Sequence, residues 1–246
     1  MKSVRVSKSN IRSFTSLYKG EAQRALLRTF EPIREKAKTT PPDALKKAVP
    51  HLIDDKHIFE MLHGLYKTVC VAFARDTLKQ IAAKKDDQLE MFFSRYAYER
   101  SKKITGTIKT TLEENVNLTI DRVVENMTRG GASVVDIAQG LADELEGEFM
   151  NIASWEAQRI AQTEVIGSAN YGSFEGAKQS EIEGMMKVWI TSGNANVRET
   201  HNYYQSLGAV EMDYEYNTGL QFPGDPNCEL PEEIVNCHCV PVYTFE

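Results

Sequence analysis

Phe222-Pro-Gly-Asp-Pro-Asn-Cys-Glu-Leu-Pro-Glu-Glu-Ile-Val-Asn-Cys-His-Cys-Val240 decides how this chain is read. Three of the four cysteines, Cys228, Cys237 and Cys239, fall inside it. Cys237 and Cys239 stand two apart and run into Val240, Val242, Tyr243 and Phe245, residues that favour a strand. On a strand over 235–245 the two thiols face the same side, which suits a shared metal or a reactive pair. A direct bridge between them is disfavoured, because disulfide geometry needs closer Cβ atoms than positions i and i+2 of an extended strand provide. His238, between them, points away. Upstream, Val197-Arg-Glu-Thr-His201 offers an imidazole from a different element, and one imidazole with two thiolates makes three ligands of a tetrahedral zinc site. Cys228 and Asp225 are the candidates for the fourth. The alternative is a pair of buried, inert thiols.

Outward from this stretch, Met186–Thr191 reads as a strand, 192–196 as a loop, 197–207 as a short helix and 208–213 as a short strand. Pro223-Gly-Asp-Pro226 is turn chemistry. A small α+β module over 184–246 therefore follows a mainly α body. In that body, residues 16–38 have helical periodicity with Pro32 as a break or kink, and Asp43 caps a short helix that Pro50 ends. A long helix over 52–84 buries Ile58, Leu62, Leu65, Val69, Phe73 and Leu78. Helical character continues over 89–98 and from Lys103 to Thr128, the second stretch with the stripe Ile108, Leu112, Val116, Ile120 and either Val123 or Val124. Ser133 and Asp136 form a capping box for a helix over 134–149, and another covers 152–179. The small residues Gly167, Ser168, Ala169, Gly172 and Gly176 on that last helix allow a neighbouring helix or strand to approach closely. The N-terminal ten residues read as a loose tail. The chain divides as 1–130, a basic helical region; 131–183, helices leading into the module; and 184–246, the module.

Trp189-Ile-Thr191, Val197-Arg198 with His201, Leu207-Gly208 and Val210, Pro223-Gly224 and Asn236-Cys237-x-Cys239, in that order, resemble the C-terminal module of phage minor head proteins. This is the head morphogenesis family named after the Mu F protein. The helical signature Arg159-Ile-Ala-Gln-Thr-Glu164 with Ala169-Asn170-x-Gly172 is similar to the family as well, so the resemblance covers about residues 131–246. It implies a virion protein of low copy number, associated with the portal and other head proteins inside the capsid, with a part in DNA packaging or delivery. Two departures stand out: His238 replaces the arginine of the usual Asn-Cys-Arg-Cys, which removes a cation, and Cys228 lies outside the pattern, which adds a candidate ligand.

The chain of 246 residues is 41% hydrophobic and 26% charged, the composition of a folded protein with a core. Its net charge of −6 hides an asymmetry. Residues 1–110 hold 23 Lys+Arg against 12 Asp+Glu, and the remainder 6 against 23. A basic half can meet nucleic acid or an acidic protein surface. Lys84, Lys85, Arg100, Lys102 and Lys103 flank the aromatic run Phe92, Phe93, Tyr96 and Tyr98 and are the candidate DNA contacts; a solvated helical surface is the alternative. No apolar run approaches the ~18 residues that span a bilayer, and the N-terminus lacks a signal-peptide core. The cysteine count does not read as a disulfide framework, and a reducing cytoplasm suits free or metal-bound thiols.

Arg159 and Glu164 are candidate braces of the neighbouring module through charge-assisted bonds, and Arg198 of an acidic neighbour. There is no P-loop, G-x-S-x-G or HExxH, so the expectation is an assembly protein and not an enzyme. The alternative is a toxin-like or Cys/His-dependent enzyme domain in which Cys237 or Cys239 pairs with His201.

Overall fold

The computed structural model describes residues 2–82 and 89–246. Its helical body comprises α1 (Lys8–Ala37), α2 (Pro42–Leu52), α3 (Lys56–Ile81), α4 (Leu89–Arg129) and α5 (Val134–Gln179). The expected stripes are buried: Ile58, Leu62, Leu65, Val69, Phe73 and Leu78 on α3, and Ile108, Leu112, Val116, Ile120 and Val123 on α4. The Ser133–Asp136 capping box forms as read, with the Ser133 N–H and Oγ–H both donating to Asp136 Oδ2 and the Asp136 N–H donating back to Ser133 Oγ.

Four expectations for the body fail: Pro32 as a break, Asp43 as a cap, a helix end at Pro50 and a joint between 149 and 152. Pro32 neither ends nor divides α1. Phe30 and Ile33 beside it are fully buried and Phe30 stacks on Phe149 at 4.6 Å; burying two such side chains, at about 1.5–3 kcal/mol each, offsets the ~3 kcal/mol that an internal proline costs. Asp43 does not cap α2. The cap position is Pro41, with Pro42 at the first helical position, where its fixed φ suits the helix. The two helices expected over 134–149 and 152–179 are one continuous helix, and Pro50 lies inside α2, two residues before its end.

The chain forms two compact units. One comprises Lys19–His63 and Tyr98–Gln158 and is wholly helical, with Phe30, Phe149, Leu112 and Val116 in its core. The other comprises Met1–Tyr18, Gly64–Ala97 and Arg159–Glu246. It adds to its helices the strands β1 (Lys2–Arg5), β2 (Met186–Ile190), β3 (Ala209–Glu211) and β4 (Val240–Phe245), the helix α6 (Glu199–Ser206) and the single turn α7 (Pro231–Ile234).

The sheet has the order β1-β4-β2-β3 and every pair is antiparallel. The N-terminal tail is therefore not loose: Lys2 to Arg5 pair with Phe245 to Val242, and Val4 is buried against Phe174, Phe222 and Tyr243. The last strand is central. Pro241, which lacks an N–H, stands one residue beyond the β1 pairing, where β2 is its one neighbour. One face of the sheet end carries the aromatic core of Trp189, Tyr204, Tyr216 and Leu220.

Within this unit α5 presents two faces. Gly172 and Gly176, one turn apart, lie directly on the backbone of Cys70 and Ala74 of α3, a close approach of the kind expected from the small residues of this helix. Thr77 and Ser173 hydroxyls join across the same contact at 2.7 Å. The other face carries Thr163, Gly167 and Asn170, which meet the loops of the terminal module.

Candidate metal centre

The CxC segment is not on a strand. β4 begins at Val240, after the cysteines. Pro231 opens the short α7, the Cys237 N–H closes a turn on Ile234 O, and Asn236 takes a left-handed conformation at φ 55°. Asparagine tolerates that region better than most residues. The alternation nevertheless survives: Cys237 and Cys239 are buried and His238 between them is exposed.

Both thiols face the same imidazole. His201 Nδ1 lies 3.7 Å from Cys237 Sγ and 3.5 Å from Cys239 Sγ. Among the described residues these three form a group whose ligand atoms all lie within 4.8 Å of one another, and which could hold a metal ion. All three are buried, at 1%, 3% and 2% exposure, so the group sits inside the module and not in a surface cleft. α6 supplies the histidine, and Trp189 of β2 packs on its ring at 4.9 Å.

The far side of the imidazole is served as well. His201 Nε2 lies 2.9 Å from Glu233 Oε2, close enough for electrostatic attraction although off the line of a straight N–H hydrogen bond. Thr200 Oγ1 donates to both oxygens of Glu233. A carboxylate behind a ligating histidine fixes its tautomer and raises its basicity. Sequence reasoning passed over Glu233; the signal was a Pro231-Glu-Glu helix start, which reads as solvated acid.

The two thiols perturb each other in opposite directions. Cys237 donates to Cys239, which with the nearby imidazole holds Cys239 well below the usual thiol range, while that same bond and burial push Cys237 up. Trp189 Nε1 is buried without a well-aligned protein acceptor, yet lies near enough to favour the Cys239 thiolate.

The remaining candidates are placed as follows. Cys228 is buried in the same aromatic core but outside the three-ligand group: its sulfur accepts from the Leu230 N–H at 3.5 Å and lies 3.7 Å from Thr218 O. Asp225 accepts the N–H groups of Gln221 and Asn227 and so anchors its own loop; burial raises its pKa despite those bonds. Arg198 braces a carbonyl, not an acid: its Nη2 donates to Val235 O at 2.7 Å, just ahead of the CxC. Glu164 is buried and accepts from Tyr66 Oη at 2.7 Å, a link between α5 and α3. Arg159 also lies on α5. Lys102 and Lys103 are exposed on α4 and Arg100 is half-buried beside them; Lys84 and Lys85 lie outside the described residues.

α5 fixes the CxC loop from beneath. Asn170 Nδ2 donates to Pro223 O and Cys239 O, each at 2.9 Å. Thr163 Oγ1 accepts the Asn236 N–H at 3.1 Å. Gly167 lies so close to Gly224 O that an added Cβ would stand 3.2 Å from it.

No family model, curated protein or solved structure matches this chain. Among the described residues no helix is long and apolar enough to cross a membrane.

Proposed function

We propose that this chain is a phage minor head protein, associated with the portal and other head proteins, and that its terminal module is a zinc-stapled assembly part and not a catalyst. The observation that carries the reading is the burial of His201, Cys237 and Cys239 at the centre of the ordered motifs from Trp189 to Cys239. Ligands at ~2.3 Å (sulfur) and ~2.05 Å (nitrogen) from a tetrahedral ion stand about 3.6 Å apart, against the 3.7 and 3.5 Å found between Nδ1 and the two sulfurs. Two thiolates with an imidazole are a zinc-type donor set, and a module this small gains from a metal staple. The Cys239 thiolate beside His201 also resembles a nucleophile–base pair; the burial of both residues supports the staple reading over it.

DNA contact through the basic half belongs to the same proposal, with Arg100, Lys102 and Lys103 of α4 as its phosphate contacts together with Lys84 and Lys85. The virion interior beside the portal is then the site of action.

The test is metal analysis of untagged protein, with melting curves for Cys237→Ser, Cys239→Ser and His201→Ala and head assembly scored by electron microscopy. One zinc per chain, lower melting in each variant and fewer filled heads are expected. Zinc near zero with unchanged melting sinks the staple. Normal melting and normal heads with infectivity lost sinks the assembly role and favours an enzyme.

A further inference from the structure

His238 leaves the CxC on the side opposite the thiols and enters a half-open cavity of about 250 Å³. Lys8 and Arg12, one turn apart on α1, line it together with Ser192 and Asn194 from the loop after β2; Ile166 and Val240 contribute apolar wall. No acid lines this cavity, although the chain carries 35 Asp+Glu against 29 Lys+Arg. Among the described residues neither Lys8 nor Arg12 forms an ion pair, and both side chains are exposed. Asn194 Oδ1 already accepts the Asn196 N–H, so its amide NH2 is the group left to offer. Every polar group at the site is thus a donor or can act as one: a guanidinium fork, an ammonium, an imidazole, an amide and a hydroxyl.

We propose that this cavity binds a phosphate group. Two fixed cations already exceed the charge one carboxylate neutralises and match a phosphate, which carries up to two charges and several acceptor oxygens, with His238 as a further hydrogen-bond donor. Arginine's planar fork takes two such oxygens at once. The volume lies below the ~300–1,000 Å³ of pockets that enclose a whole small molecule, so the cavity takes a phosphate and the atoms next to it, with the rest of the ligand outside. A free nucleotide and a nucleic-acid backbone both present that chemistry. The site is independent of the virion reading and distinct from the basic residues of α4. It depends on the CxC only in that the inward turn of Cys237 and Cys239 sends His238 outward.

Binding to the full chain is measured for inorganic phosphate, a 5′-mononucleotide, acetate and a fluorescent DNA duplex. The proteins are wild type, Lys8→Glu/Arg12→Glu, His238→Ala and, as a control, Lys36→Glu/Lys47→Glu, two exposed cations outside both proposed sites. Lys8, Arg12 and His238 are all exposed, so these changes bury no charge; circular dichroism confirms equal folding. If the source is a free phosphate, the small phosphates bind wild type and control alike, and the Lys8/Arg12 reversal weakens them at least tenfold. If it is a backbone, the duplex is weakened about tenfold and the slope of log K against log salt falls by about 2, one phosphate for each cation removed. His238→Ala weakens the same probe less. The proposal is overturned if no phosphate-bearing probe binds, if the reversal at Lys8 and Arg12 leaves binding as in the control, or if acetate binds as well as phosphate.

Discussion

Replacing Gly172 by alanine adds one methyl group where two helix backbones touch. A Cβ built at Gly172 stands 2.2 Å from Cys70 O, 2.8 Å from its Cα and 2.9 Å from its carbonyl carbon, whereas real Cβ contacts stay above 3.0 Å. The obstructing atoms are backbone, so no side-chain rotation relieves them. α3 and α5 must part by about 0.8 Å, enough to forfeit a quarter to a half of the dispersion energy of the atom pairs that lose contact. Cys70, Val69 and Ala74 along that contact are fully buried, and Gly176 on Ala74 tolerates no compensating tilt, since a Cβ there would already lie 2.8 Å from Ala74 O.

Overpacking of this kind costs about 1–3 kcal/mol, and the upper end applies to a rigid backbone contact. The better helix propensity of alanine returns up to about 1 kcal/mol. A net loss of about 2 kcal/mol lowers Tm by about 4–8 °C in a chain of this size. Gly64→Ala and Gly106→Ala are the controls: both sit inside helices, and nothing lies within 4 Å of the added Cβ. They should raise Tm slightly through propensity alone. Thermal unfolding followed by circular dichroism separates the cases. A Gly172→Ala protein as stable as Gly106→Ala would refute the close helix contact.

Three further outcomes are expected. Asn170→Ala removes the donor for two buried carbonyls, Pro223 O and Cys239 O, and at about 1–3 kcal/mol for each stranded group should cost about 2–6 kcal/mol of stability, read as a lower Tm. Glu233→Gln, which leaves the shape behind His201 intact, should weaken metal affinity by about 10–100-fold in a competitive chelator titration, with an unchanged circular dichroism spectrum. Lys187 is buried, and burial outweighs the carboxylates of Asp213 and Asp225 to lower its pKa to about 8. From that pH to about 10.4 the unfolded chain holds a proton that the folded chain has released, so this group's contribution to stability rises with pH across the window and is least favourable below it. The stability of Lys187→Met relative to wild type should therefore fall by about 1–3 kcal/mol between pH 7.5 and 10 in urea titrations; a constant difference would place the ammonium in a better-solvated setting.

The helical body was legible because its apolar residues recur at 3.6 spacing and its caps are local chemistry: the α3 stripe and the Ser133 box need no tertiary information. The joints were not. Whether Pro32 breaks a helix depends on what Phe30 and Ile33 bury, and whether Lys2–Arg5 is a tail or a strand depends on β4, more than 230 residues away. Lys187 occupies an inward position of β2 because the carbonyls of Met212 and Tyr214 accept its ammonium at 2.8 and 2.6 Å and the rings of Phe174 and Tyr216 lie beneath it. No local pattern announces that. In the site, the three metal-capable residues were readable from spacing and residue type. Glu233 was not, because its role depends on α7 meeting α6, and the cationic cavity was not, because Lys8 fell in the ten residues that read as a loose tail and the cavity joins α1 to the loop after β2.

The CxC cysteines converge on His201 without a strand to set their register, so something else must. α5 supplies it at three positions on one face: Thr163, Gly167 and Asn170 follow at four and three residues, the spacing that lines up along a helix. Thr163 takes the Asn236 N–H where the chain turns left-handed, Gly167 sets how closely the Pro223-Gly224 turn approaches, and Asn170 holds the carbonyls of both Pro223 and Cys239. One helix thus grips the segment before the first CxC cysteine and the carbonyl of the second, while Gly172 and Gly176 on its other side lock it to α3. The thiols are placed by that helix, and the helix is placed by a contact that admits no side chain. This is why residues as unlike as Asn170 and Gly172, two apart in sequence, bear on the same centre although neither touches His201.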